Sequence, residues 1–225
     1  MPDTAQPTEA PVAPSPSSAT ASRVSELRKL AADSPQKARD LAWDWICALR
    51  EEAGRDRDGT SAKLDELFRE GAPAADVDGR TEGILVMPLI ARPVDAFMRR
   101  LTGAWMPWMG KRIDRSASRG DNVLRNDARW PAKLLWPFYG TKTLGDARAA
   151  FDFETRVEAG KVDPDVDVLV IDYSVVDSNP RLVIKRIRDE LVEIVPGANL
   201  GKVLWRSGDD SYSLIGFFAL RSELR

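Results

Sequence analysis

The chain contains no histidine, and that absence sorts the chemistry open to its other polar residues. Ser-His-Asp and Cys-His systems need an imidazole to accept the nucleophile's proton, so they are excluded. Zinc sites built on histidine or on several cysteines go with them, since Cys47 is the single cysteine. Any proton transfer falls to Asp, Glu, Lys, Tyr or water. A carboxylate-only Mg²⁺ or Ca²⁺ site stays chemically allowed. The sequence has no EF-hand loop, Walker A motif or Rossmann glycine fingerprint, so no metal and no cofactor is expected.

The polar candidates are Lys111, Arg112, Arg156, Asp172, Tyr173 and Lys202. Asp172 ends the apolar run VLVID, so desolvation acts on it more than on the other acids. With Tyr173 it forms the candidate catalytic pair; the competing role for Asp172 is to cap the turn before Asn179-Pro180. Asp152, Glu154 and Arg156 alternate with Phe151 and Phe153, so they share one strand face. The phenylalanines need an apolar environment and are expected inward, which sends the charged face out. With the opposite facing, Arg156 would meet a ligand. Lys111 follows Gly110 and Lys202 follows Gly201; each places an ammonium either at a cavity mouth or on a solvated surface. The run Lys185, Arg186 and Arg188, beside Asp189 and Glu190, reads as a solvated helix face.

Large apolar side chains accompany these groups. Five of seven tryptophans fall at or after residue 105: Trp105, Trp108, Trp130, Trp136 and Trp205. Trp105, Trp108, Trp205, Phe151, Phe153 and Phe218 are the candidates to line an apolar ligand, or else to fill a core. Cys47 reads as a small core or boundary residue, because nothing near it would activate a thiol.

The elements that must position these residues divide the chain in three. Residues 1–22 are rich in Pro, Ala, Ser and Thr and lack aromatics, so they are expected to form a disordered tail. Residues 23–78 read as helices packed on a barrel. Val24, Leu27 and Leu30 mark a first helix face. Ser34-Pro35 opens a second, with Ala38, Leu41, Ala42, Trp45, Ile46 and Leu49 along one stripe and Trp43 off it. Residues 54–61 read as a loop, and Leu64, Leu67 and Phe68 as a third short helix. Residues 79–225 read as mostly strand. Residues 84–86, 151–157 and 168–173 have strand patterns, Pro93 opens a helix through Leu101, and Asn179-Pro180 opens another to about residue 187. A hairpin turns at residues 207–210. The expected fold class is α+β: N-terminal helices followed by an antiparallel, lipocalin-like β-barrel.

Four segments in order resemble a largely uncharacterised two-part family of bacteria and fungi. It is named for a Gly-x-Trp-x-Gly motif followed by a C-terminal domain of unknown function. The segments are LDELF with GRTEG (residues 64–68 and 79–83), WMGKRID (108–114), FDFETRVEAG with VLVIDYSVVDSNP (151–160 and 168–180), and LGKVLWRSGDDSYSLIGFFALR (200–221). Thr81 stands where the family has its name-giving Trp, and the family's Tyr-Asp order is reversed at Asp172-Tyr173. The resemblance implies a lipocalin-like barrel and carries no established reaction.

Charge is close to balanced, 33 basic against 35 acidic residues, so no nucleic-acid partner is expected. Residues 1–22 have no signal-peptide pattern and no apolar run reaches membrane-helix length, so a cytoplasmic protein without an integral membrane segment is expected. The leading functional expectation is a small hydrophobic-ligand binding protein, for a lipid, isoprenoid or polyketide-like molecule. The alternatives are a metal-free cyclase or isomerase acting in such a cavity, and a protein-interaction module using Trp43 and the tail. A homodimer stays open.

Overall fold

The computed structural model describes residues 16–89, 108–126, 140–181 and 183–224. Three helices come first: α1 (Pro16–Asp33), α2 (Pro35–Glu52) and α3 (Arg57–Arg69). Helix α1 begins inside the stretch expected to be a disordered tail, so residues 16–22 are helical. Pro35 occupies the first turn of α2, where its fixed φ suits the helix and its missing N–H costs nothing. Ser34 precedes it but makes no side-chain cap bond. Helix α3 starts earlier than the loop reading of residues 54–61 allowed. The Asp56 carboxylate caps it by accepting from the Gly59 amide at 3.0 Å.

The apolar face of α2 is rotated from the expected stripe. Ala38, Ala42, Trp43, Ile46 and Leu49 are buried, while Leu41 is 42% exposed. This helix packs against both α1 and the sheet, so its buried arc is wide enough to take in Trp43. The Arg221 guanidinium lies 5.0 Å from the Trp43 ring centroid. Trp43 is therefore a core residue rather than a free contact surface.

Eleven strands follow among the described residues: β1 (Ala72–Pro73), β2 (Gly79–Arg80), β3 (Glu82–Pro88), β4 (Trp108–Asp114), β5 (Arg119–Arg125), β6 (Lys142–Leu144), β7 (Ala147–Ala159), β8 (Asp167–Asp172), β9 (Ile187–Val195), β10 (Ala198–Arg206) and β11 (Tyr212–Arg221). Every pairing is antiparallel. The order is β2-β4-β5-β7-β8-β9-β10-β11-β3, with β1 added to β9 and β6 to β7. Because only Thr81 separates β2 from β3, the two ends of the path are one interrupted strand. The sheet thus curls into a nearly closed, eight-stranded barrel. Thr81 ties the seam: its amide donates to the Lys111 carbonyl at 2.8 Å, and its hydroxyl donates to the same carbonyl and accepts from the Lys111 amide.

Alternation sends two apolar sets to opposite sides of the wall. Ile113, Leu124, Phe153, Leu169, Ile171, Leu191, Phe218 and Leu220 pack inside. Val168, Val170, Val192, Ile194, Leu200 and Phe217 face outward, where Ile46, Leu64, Leu67 and Phe68 cover them. This double burial explains why residues 168–171 read as an unbroken apolar run. After α3, Ala74 and Val77 join the interior cluster.

One segment departs from its expected type. The helix expected up to residue 187 shrinks to a 3-10 turn, Ile184–Arg186, and β9 starts at once. Arg188, Asp189 and Glu190 are strand residues exposed by only 5%, 4% and 0%, so they form no solvated helix face. The expected helix at residues 93–101 lies outside the described residues.

Candidate functional site

Among the described residues, a buried polar cluster in the interior is built from β4, β5, β9 and the residue that follows β8. Lys111 comes from β4, Asn122 from β5, Tyr173 from the residue after β8, and Asp189 from β9. Alternation turns all four inward, on the same side as Ile113, Leu124, Ile171 and Leu191.

The hydrogen-bond inventory of this cluster is nearly complete. The Lys111 ammonium has three donors, and each has a partner: Asp189 Oδ2 at 2.8 Å, Asn122 Oδ1 at 3.0 Å and the Tyr173 hydroxyl at 2.5 Å. Tyr173 donates to Asp189 Oδ2 at 2.9 Å. The Asn122 amide donates to the Tyr173 hydroxyl and to the Phe151 carbonyl. Trp108 Nε1 donates to Asn122 Oδ1 at 3.0 Å. One acceptor is left over, because Asp189 Oδ1 is buried with no hydrogen-bond partner.

Burial sets the electrostatics. Desolvation lowers the Lys111 pKa below the ordinary lysine value, and the Asp189 carboxylate only partly opposes it. Desolvation, then the neighbouring Asp189 charge, pushes the Tyr173 phenol well above its ordinary value. The ammonium also sits 5.2 to 5.6 Å from the ring centroids of Tyr173, Phe153, Phe218 and Trp108, within cation–π range.

Against this cluster lies a cavity of about 150 Å³. Lys111, Asn122, Tyr173 and Asp189 form its polar part. Leu85, Trp108, Phe151, Ile184, Ile187, Val203 and Phe218 form the apolar remainder. Two local devices place the rings. Phe151 takes a left-handed φ of 55°, unusual for a bulky residue, where β7 bulges so that Gly120 and Asn122 pair with Phe153 and Ala150. That bulge turns both Phe151 and Phe153 into the interior. Gly201 pairs with Phe218, and a Cβ there would lie 2.2 Å from the ring; only glycine lets the ring lie flat across β10.

Of the residues singled out from sequence, Trp108, Lys111, Phe151, Tyr173 and Phe218 meet at this cavity. Phe153 lies behind it, edge-on to Tyr173 at 5.5 Å. Asp172, Arg156 and Lys202 do not reach it, because alternation sends each to the outer face, and Arg112 pairs with Asp121 away from it. Asp172 faces out from β8, where its carboxylate accepts from the Ser174 amide and hydroxyl and from Arg156. Burial works to raise its pKa, but these three partners outweigh burial and hold it below the ordinary value. Arg156 lies on the outer face of β7, paired with Glu158 and Asp172. Lys202 points out of β10 into the layer beneath the helices, where Asp65 and Asp163 hold it at 2.6 and 2.5 Å. Trp205 is half-buried under Arg186, away from the cavity. Trp105, Trp130 and Trp136 lie outside the described residues.

Asn122 and Asp189 escape sequence reading. Asn122 sits in a strand whose pattern is hidden by Arg119, Asp121 and Arg125. Asp189 sits in a charged run that mimics a helix face; the signal was Leu191–Val195, whose extended pattern can be carried back by twos to Asp189. Among the described residues no group of His, Cys, Asp and Glu could hold a metal ion, and no helix is long and apolar enough to cross a membrane. No family model, curated protein or solved structure matches the chain.

Proposed function

We propose that the chain binds a small apolar molecule inside a lipocalin-like barrel. The observation that carries this reading is the 150 Å³ cavity, lined by aromatic and aliphatic side chains around one buried polar cluster. Empty apolar cavities of that size hold benzene-sized molecules. An eight-stranded barrel has an interior that is either filled or holds one small ligand. The strained Phe151 backbone adds support, since residues held at positive φ cluster at ligand-binding and active sites. The four-segment resemblance to the Gly-x-Trp-x-Gly family is in keeping with it, and so is a cytoplasmic location.

Native mass spectrometry of the full chain, alone and with Val203→Trp, tests the reading. A small-molecule adduct in the wild type that is missing from the folded variant supports it. No adduct, together with Ile184 and Val203 methyl resonances that ignore added benzene, sinks it.

A metal-free isomerase or cyclase is the second reading. It is favoured by two titratable groups at the edge of the cavity, Lys111 with its pKa lowered by burial and Tyr173 with its pKa pushed well up. Deuterium exchange at the α-carbon of cyclohexanone, catalysed by the wild type and lost in Asp189→Asn, would favour it. No catalysed exchange leaves the binding reading in place.

A further inference from the structure

We infer that the cavity selects a neutral ligand that carries a hydroxyl group, and rejects ligands of the same size that only accept hydrogen bonds. This rests on the cavity-binding reading and concerns which chemistry the cavity takes.

The argument is a count of donors and acceptors. A ligand seated in the cavity faces Lys111, Asn122, Tyr173, Asp189 and the Trp108 indole. Every donor in that set is committed within the protein. The three ammonium protons go to Asp189, Asn122 and Tyr173. The phenol proton goes to Asp189, and the Asn122 amide protons go to Tyr173 and Phe151. The indole proton goes to Asn122. A ketone or ether oxygen, or a nitrile nitrogen, would have to break one of these bonds to be satisfied. An anion would meet the carboxylate with no free donor to offset the repulsion. An ammonium would sit beside the Lys111 charge.

The acceptor side differs. Asp189 Oδ1 is buried and unpartnered, in a residue only 4% exposed that lines the cavity. Leaving a charged acceptor bare in an apolar site is costly, and a turn of the Asp189 carboxylate toward the cavity lets a ligand O–H supply what the protein leaves out. A hydrogen bond to an ionised acceptor is also stronger than one between neutral groups. The remaining lining is aromatic and aliphatic, so the body of the ligand is apolar. A phenol or a small ring alcohol has this shape.

Isothermal titration of the full chain with benzene, benzonitrile, benzoate and phenol tests the inference, with Val203→Trp as the control for site. Phenol is expected to bind about tenfold or more tighter than benzene, a ratio typical of one hydrogen bond to a charged group. Benzonitrile and benzoate are expected to bind more weakly than benzene. Benzene or benzonitrile binding as tightly as phenol overturns the hydroxyl requirement and leaves the cavity reading standing. No binding by any of the four, or equal binding by folded Val203→Trp, overturns the cavity reading and this inference with it.

Discussion

Two buried lysines sit on opposite sides of one barrel wall. Lys202 lies outside it, under the helices, and Lys111 inside it; they are 1% and 2% exposed. Lys202 is held by two carboxylates, and Arg69 reaches one of them, so no polar atom of Lys202 or Asp163 is left bare. It also packs on the faces of Phe68 and Phe217. Lys111 shares one carboxylate with a phenol and donates to an amide oxygen, beside open space and a bare acceptor. Burial alone therefore does not mark a functional lysine. What separates the two is whether the surrounding polar groups satisfy one another or leave something for a ligand.

The comparison breaks most sharply at Lys202. Lys202→Met strands the buried Asp163 with only the half-exposed Arg69, and should cost about 3–5 kcal/mol in urea unfolding. The folded fraction should keep its ligand selectivity. If phenol binding falls along with stability, the two lysines are not separate systems.

Gly201→Ala should cost about 1–3 kcal/mol by overpacking, because the added methyl displaces the Phe218 ring. It should also weaken cavity ligands, which Lys202→Met should not. Replacing both Lys111 and Asp189, as Lys111→Met with Asp189→Leu, should leave stability within about 1 kcal/mol or raise it, since a buried ion pair is readily exchanged for apolar groups. Tyr173 and Asn122 keep each other as partners in that variant. Its roughly tenfold preference for phenol over benzene should vanish, as read by titration.

The smallest effect belongs to Asp172, which sequence placed among catalytic candidates. Its folded pKa is lowered, so its contribution is present above the ordinary value of 3.8 and is lost as pH falls through the lower folded value. Asp172→Asn should cost at most about 1 kcal/mol at pH 7 and flatten the acid limb of the stability curve below about pH 4. Ligand binding should not change.

The strand half of the molecule was legible where one rule applied to one segment. The alternation at residues 151–157 and the apolar run at 168–171 gave strands in the right places, and the turn residues gave the β10–β11 hairpin. The helical half was legible in its existence and less so in its facing. Trp43 was misplaced because α2 is buried on two sides, which a single stripe does not describe. The site itself was half legible. Trp108, Lys111, Phe151, Tyr173 and Phe218 were found from their type. Asn122 and Asp189 were not, since their meaning comes from partners 11 and 78 residues from Lys111. Asp172 and Tyr173 show the limit most plainly: adjacent in sequence, they point to opposite sides of the wall.

The interrupted strand at Thr81 has a consequence for how the chain reaches this state. β2 pairs with β4, but β3 pairs with β11, so Glu82 waits for Arg221. The ring of strands cannot shut until its last member has been made. Such long sequence separation between partners slows folding. The helices emerge from the ribosome first, yet the outer faces of β9 to β11 that cover them are translated last. During synthesis Trp43, Leu64, Leu67 and Phe68 are thus left without their native neighbours, and chaperone dependence should concentrate in that interval.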